Sequence, residues 1–131
     1  MKRHRKLQDL SREHHHALQL ALQAKRAATS GEPAAIEATA AACVAAFSGE
    51  LDPHFVVEET TLLPLLVGAG HHGLVEHVMT DHTELRRLSA RLRQADAATL
   101  LAFAERLASH VRFEERELFE VLEVLLDKET T

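Results

Sequence analysis

Residues His54 to Glu59 read HFVVEE, and fifty-six residues later His110 to Glu115 read HVRFEE. Both are His-x-x-x-Glu-Glu. On a helix, residues four apart share a face, with Cβ atoms roughly 6 Å apart. Each copy therefore offers one imidazole and one carboxylate to the same point. Apolar residues follow at matching offsets: Leu62 and Leu63 in the first copy, Leu118 and Phe119 in the second. An acid–histidine pair precedes each copy, Glu13-His14 ahead of one and Asp81-His82 ahead of the other. A fold that uses this order must bring two half-sites together.

The rest of the chain supplies helices to do so. Leu7, Leu10, Leu18, Ala21 and Leu22 make a helical stripe over about 4–29. His14 lies near the middle of that stripe and His15 about 100° further round, while His16 points away. Ser30-Gly31-Glu32-Pro33 ends this helix and starts the next, with Pro33 in a first turn. Phe47, Leu51, His54, Glu58, Leu62 and Leu65 then keep one face across Gly49 and Pro53. One long helix over about 33–67, bent at Pro53, is expected; a break near residue 50, with Asp52 capping a new helix, is the rival. Gly68-Ala69-Gly70 closes it, leaving His71 and His72 to solvent. Val75, Val78, His82, Leu85, Ser89 and Leu92 give a third inner face over about 73–94, with His77 outside. Asp96 caps a fourth helix over about 97–127. Its inner face is Leu100, Phe103, Leu107, His110, Glu114, Leu118 and either Val121 or Leu122, with a frayed polar tail after Leu126. Four helices with short connections predict an all-α, antiparallel up-down-up-down bundle, one domain over 1–131.

Composition narrows the function. Net charge is −5, and the basic residues between Lys2 and Lys6 form too short a run to argue for nucleic acid. The chain has no Trp or Tyr, so no tyrosyl radical, and its one cysteine, Cys43, reads as a buried thiol. No signal-peptide pattern opens the sequence and no apolar run approaches the ~18 residues of a membrane span. A cytoplasmic protein without membrane contact is the expectation.

Ten histidines remain to be explained. A single inward histidine reads most simply as a hydrogen-bonded core residue, because a buried polar group is costly unless paired. Six inward residues on four helices in a repeated order, His14, His54, Glu58, His82, His110 and Glu114, are explained together by metal. The donors are nitrogen and carboxylate oxygen without thiolate, which suits iron, manganese or zinc. Six are too many for one tetrahedral zinc. Two metals bridged by Glu58 and Glu114, each with two histidines, use the set economically, and iron open to O2 or small anions leads. Glu13, Glu59, Asp81 and Glu115 sit beside these residues. Taken singly each reads first as a surface acid, with a supporting bond to a ligand as its other role.

Glu13-His14, His54-Phe55-x-x-Glu58, Asp81-His82 and His110-x-x-x-Glu114, in that order, resemble the hemerythrin-like (HHE cation-binding) domain family across nearly the whole chain. The resemblance implies a four-helix bundle with a non-haem di-iron centre. It makes His14, His54, His82 and His110 ligands and Glu58 and Glu114 bridges. Members of that family bind O2 reversibly, sense O2 or iron, store iron, or handle nitric oxide and peroxide. Two departures stand out. Oxygen-carrying hemerythrins have His-x-x-x-His on the third helix, where this chain has Val78 at the first position. They also place an Asp five residues after the fourth-helix histidine, where Glu115 stands here. The expected function is a di-iron protein for sensing, carriage or storage, a sensor of this length needing a protein partner. The alternative is a di-iron enzyme that handles peroxide, O2 or nitric oxide, or repairs iron centres. A ferritin-like oxidase expects two Glu-x-x-His motifs, and only Glu13-x-x-His16 occurs, so the balance leans away from an enzyme.

Overall fold

The computed structural model describes residues 3–130. Four helical rods run through them. Helix α1 is Arg5–Ser30 and α2 is Pro33–Gly68. Helix α3 is His72–Arg91, extended by a 3-10 turn at Leu92–Gln94, and α4 spans 97–130. The expected all-α four-helix bundle is what forms. Of the basic residues near the start, Lys2 lies outside the described residues, as does Thr131 at the other end. The segment after Leu126, expected to fray, continues as helix to Thr130.

The helix ends reflect local chemistry. Gly31 ends α1 in the left-handed region at φ 72°, where a Cβ is penalised, and Pro33 opens α2 in its first turn. Gly70, at φ 85°, turns the chain out of α2. The Asp96 carboxylate accepts from the Thr99 N–H at 2.8 Å and caps α4.

Helix α2 runs unbroken through Pro53. Leu51 and Asp52 keep right-handed helical dihedrals, and Asp52 caps nothing; its carboxylate accepts from Arg86 Nε at 2.7 Å instead. The proline is accommodated by a single wide turn, Phe47–Leu51, in which the Asp52 N–H donates to the Phe47 carbonyl five residues back. A second wide turn, Glu58–Leu62, precedes Pro64 in the same way. A third, Glu114–Leu118, lies in α4 where no proline follows, so proline is not its cause. The second and third turns share something else: each begins at the inner glutamate of its His-x-x-x-Glu-Glu copy.

Each wide turn inserts one residue and rotates the remainder of its helix. Past Glu58 the buried residues are Leu62, Leu63 and Leu66, and the expected Leu65 is only partly covered. Past Glu114 they are Leu118, Phe119, Leu122 and Leu126, which chooses Leu122 over Val121. In α1 the inner stripe runs Leu7, Leu10, His14, Ala17, Ala21, Ala24 and Ala27; Leu22, read as part of it, is 49 % exposed. Val75 is only partly covered as well.

The core has two apolar blocks. One gathers Ala17, Ala21, Phe47, Leu51, Phe55, Leu85, Phe103 and Leu107 among others. The other gathers Leu7, Leu10, Leu62, Leu66, Val78, Leu118, Phe119 and Leu122. Between the buried residues of these blocks in sequence stand His14 on α1, Glu58 on α2, His82 on α3 and Glu114 on α4, with His54 and His110 one turn earlier on their helices. Cys43 lies in the first block, and burial pushes its thiol up to about 11, as an inert structural cysteine requires. One expectation needs correcting. Pro33–Gly68 contains a window long and apolar enough, by length and composition, to cross a membrane. Alanine supplies much of that character in the first half of the helix, and its other half carries His54 and Glu58 into the bundle.

Candidate metal centre

All six inward residues reach one place. His14, His54, Glu58, His82, His110 and Glu114 are at most 4 % exposed. They form two groups, His14–His54–Glu58–Glu114 and Glu58–His82–His110–Glu114, and within each the ligating atoms lie within 4.8 Å of one another. Both glutamates belong to both groups, so the halves meet at Glu58 and Glu114. His14 is the α1 residue that takes part; His15 is exposed, as the stripe position indicated.

Each of these four histidines uses its two ring nitrogens in the same way. Nε2 faces inward. His14 Nε2 lies 2.8 Å from Glu114 Oε1, His54 Nε2 3.3 Å from Glu58 Oε2, His82 Nε2 3.1 Å from Glu58 Oε1, and His110 Nε2 3.3 Å from Glu114 Oε2. Nδ1 faces an outer acid. His54 Nδ1 pairs with Glu13 at 2.8 Å, His82 with Glu59 at 2.7 Å, His110 with Asp81 at 2.9 Å, and His14 with Glu115 at 2.5 Å. The four acids read singly as surface groups are therefore all bonded to the inward histidines. An Nδ1–H donated to a carboxylate fixes the tautomer and leaves Nε2 with a lone pair for metal.

These outer bonds form a ring. The acid of α1 holds the histidine of α2, that of α2 holds α3, that of α3 holds α4, and that of α4 holds α1. The sequence encodes this sense. In α1 and α3 the acid precedes the histidine by one residue; in α2 and α4 it stands one residue after the inner glutamate. One residue is about 100° of rotation. A step backward on one helix and a step forward on its antiparallel neighbour turn the same way around the bundle. Each acid thus points into the seam toward the next helix. The signal was present in the order of residues, but it becomes legible only once the helices are known to alternate in direction.

Further side chains steady the ring. Arg86 donates to Glu59 at 2.8 Å and to Asp52, and its guanidinium lies 5.7 Å over the Phe55 ring. Arg106 donates to Asp81 at 3.0 Å. Ser11 donates to Glu115 at 2.8 Å, and Arg3 also reaches Glu115. Phe55 stacks flat on His82 with centroids 3.9 Å apart, and Phe119 stacks on His14 at 5.1 Å. Sequence reasoning had no signal for the arginines, because their partners lie on other helices. His77 stays outside, stacked on Phe113 at 3.6 Å. Val78 is fully buried in the second apolar block.

The inner layer is electrostatically demanding. Burial pushes His54 down, yet its close pairing with the Glu114 and Glu58 carboxylates outweighs this and raises it to about 11. His110 is raised to about 10 by Glu114 and Asp81 against the same burial, and His14 is raised by Glu114 and Glu115. Glu114 is held well below the usual carboxylate range, its own burial overcome by His110, His14 and His54. Even so, six buried atoms have no hydrogen-bond partner: Nε2 of His54, His82 and His110, both oxygens of Glu58, and Glu114 Oε2. Several lie near one another without the alignment a hydrogen bond needs. Such orphans are costly in a core. Cations held by these residues would satisfy all of them at once, and a donor set of imidazole and carboxylate suits divalent first-row metals.

The model of the hemerythrin HHE cation-binding domain matches residues 5–122, a span that includes α1 to α3, α4 as far as Leu122, and every residue of both groups. No curated protein and no solved structure matches the chain. On the extent of that match, and with the buried His/Glu groups it encloses, the chain belongs to the hemerythrin HHE cation-binding domain family.

Proposed function

We propose that this protein is a non-haem di-iron protein that interacts with O2 or a small anionic ligand in an oxygen- or iron-sensing or storage role. In this reading His14 and His54 hold one iron, His82 and His110 hold the other, and Glu58 and Glu114 bridge them. The observation that carries it is the pair of buried groups sharing both glutamates, with six atoms left unpartnered. Iron bound there supplies redox chemistry and coordination positions beyond the four protein donors available to each ion.

The chain's own residues then have defined tasks. The four outer acids hold the imidazoles in the tautomer that presents Nε2. Phe55 and Phe119 fix ring planes, and the apolar blocks above and below exclude water. Val78, buried where oxygen carriers have a histidine, leaves each metal with the same number of imidazoles, two. That equality weighs against carriage and toward sensing or storage. Manganese and zinc share the donor preference and are the competing occupants.

The test is to load the protein with Fe(II) without air and then admit O2. A sensing or storage role expects iron oxidation without sustained consumption of O2. Steady turnover of O2 or peroxide would support the enzyme reading instead. A colour change reversed by removing O2 would support carriage.

A further inference from the structure

The four outer acids are not equivalent. Glu59 is backed by Arg86, Asp81 by Arg106, and Glu115 by Arg3 and Ser11. Glu13, at the seam between α1 and α2, has His54 as its one partner among the described residues, and its side chain is 37 % exposed. The same seam carries more that the centre does not use. Glu13-x-x-His16 places His16 one turn along α1, and His16 Nδ1 pairs with Glu50 at 3.2 Å across to α2, both exposed. Glu50 lies within the wide turn Phe47–Leu51. A cavity of about 160 Å³ opens there, lined by His16, Leu20, Gln23, Ala46, Glu50 and Leu51. The cation next to Glu13 in sequence, Arg12, is taken by Asp9 at 3.0 Å.

We propose that the α1–α2 seam is the route by which divalent metal ions reach the centre, with Glu50 and His16 at its mouth and Glu13 as the group that swings aside from His54. This rests on the metal-binding reading above. An ion approaching any of the other three seams meets a guanidinium, and like charges repel most where water is scarce. Displacing Glu59, Asp81 or Glu115 also breaks bonds to those cations. Displacing Glu13 breaks one hydrogen bond. Behind it lies His54, buried, with an unpartnered Nε2 facing both glutamates. The ion thus passes from carboxylate and imidazole at the surface to carboxylate and imidazole inside.

The experiment measures the rate of loading. The metal-free full chain is mixed with Fe(II) under anaerobic conditions. Samples are quenched with excess chelator at timed intervals, and retained iron is counted. Glu50→Lys reverses the charge at the mouth, and Glu105→Lys makes the same change in net charge on exposed α4. Glu50→Lys should load about tenfold more slowly at low salt, less so as screening rises, and reach the same final iron content. Glu105→Lys should match the unaltered chain. If Glu50→Lys does not fold, Glu50→Gln, which keeps the shape, should still slow loading about threefold. Loading by the position-50 variant at the unaltered rate, or equal slowing by both lysine variants, overturns the route while leaving the centre intact. An unaltered chain that takes up no iron overturns the centre and the route with it.

Discussion

Glu114→Gln keeps the shape of the side chain and removes its charge where the four helices meet. In the native protein the Glu114 carboxylate lies 2.8 Å from His14 Nε2, 3.3 Å from His110 Nε2, 3.9 Å from His54 Nε2 and 4.0 Å from His82 Nε2. It is fully buried, and His14, His54 and His110 are all raised in part by it. Removing one partner of a buried ion pair costs about 3–5 kcal/mol, because the other charge is left in the core. Here the cost falls toward the lower end, since an imidazolium can relieve itself by losing its proton. For a chain of this length, about 3 kcal/mol lowers Tm by roughly 10 °C. The assay is thermal denaturation of the metal-free variant at pH 7, monitored by circular dichroism, with metal content measured on a loaded sample. The expected result is a melting point lower by about that amount, together with loss of the paired metal site. A variant that melts at the unaltered temperature and still retains two metals would refute the reasoning, for it would show that Glu114 neither balances the imidazoles nor bridges.

The same geometry sets other outcomes. In the metal-free protein the raised histidines contribute stability that is complete below their ordinary pKa near 6.5 and is lost as pH climbs through about 10 for His110 and about 11 for His54. Asp81 and Glu115, both lowered, contribute above the ordinary carboxylate range and lose that contribution as pH falls through their depressed values. Melting temperature should therefore be highest at mildly acidic pH, between the ordinary carboxylate range and about 6.5, and fall on both sides; a steady trend across the range would contradict these pairings. Metal uptake at pH 7 should release protons, because His14, His54 and His110 must give up theirs to present Nε2, and a pH-stat titration that records none would count against them as ligands. His16→Ala, His71→Ala and His72→Ala should retain full metal, since none belongs to either inner group; elemental analysis of each variant checks this.

The inner layer was legible because helical period alone decides which side chains face the core. His14 was separated from His15 by about 100° of rotation, and the structure bears that out. What periodicity could not give was phase after Glu58 and Glu114. Each wide turn adds a residue without altering composition, so the stripe slips from Leu65 to Leu66 while the sequence looks regular. The repeated Glu-Glu pair was the one mark of those positions. The outer acids read first as surface groups, with the supporting bond second, for a related reason. A residue one step from an inward position points along the seam between helices, and whether it meets water or a neighbour depends on a partner helix distant in sequence. Leu22 fell outside the core because α1 packs on alanines at Ala17, Ala21 and Ala24, and a stripe of small residues carries little hydropathic signal.

Metal content per chain tests the central claim most directly. The metal-free protein is reconstituted with Fe(II) under anaerobic conditions, desalted, and analysed for iron against protein concentration. Two inner groups that share Glu58 and Glu114 predict about two irons per chain. A value near one would contradict the bridging role of the glutamates. A value near zero would return the four histidines to the role of hydrogen-bonded core residues held by their ring of acids.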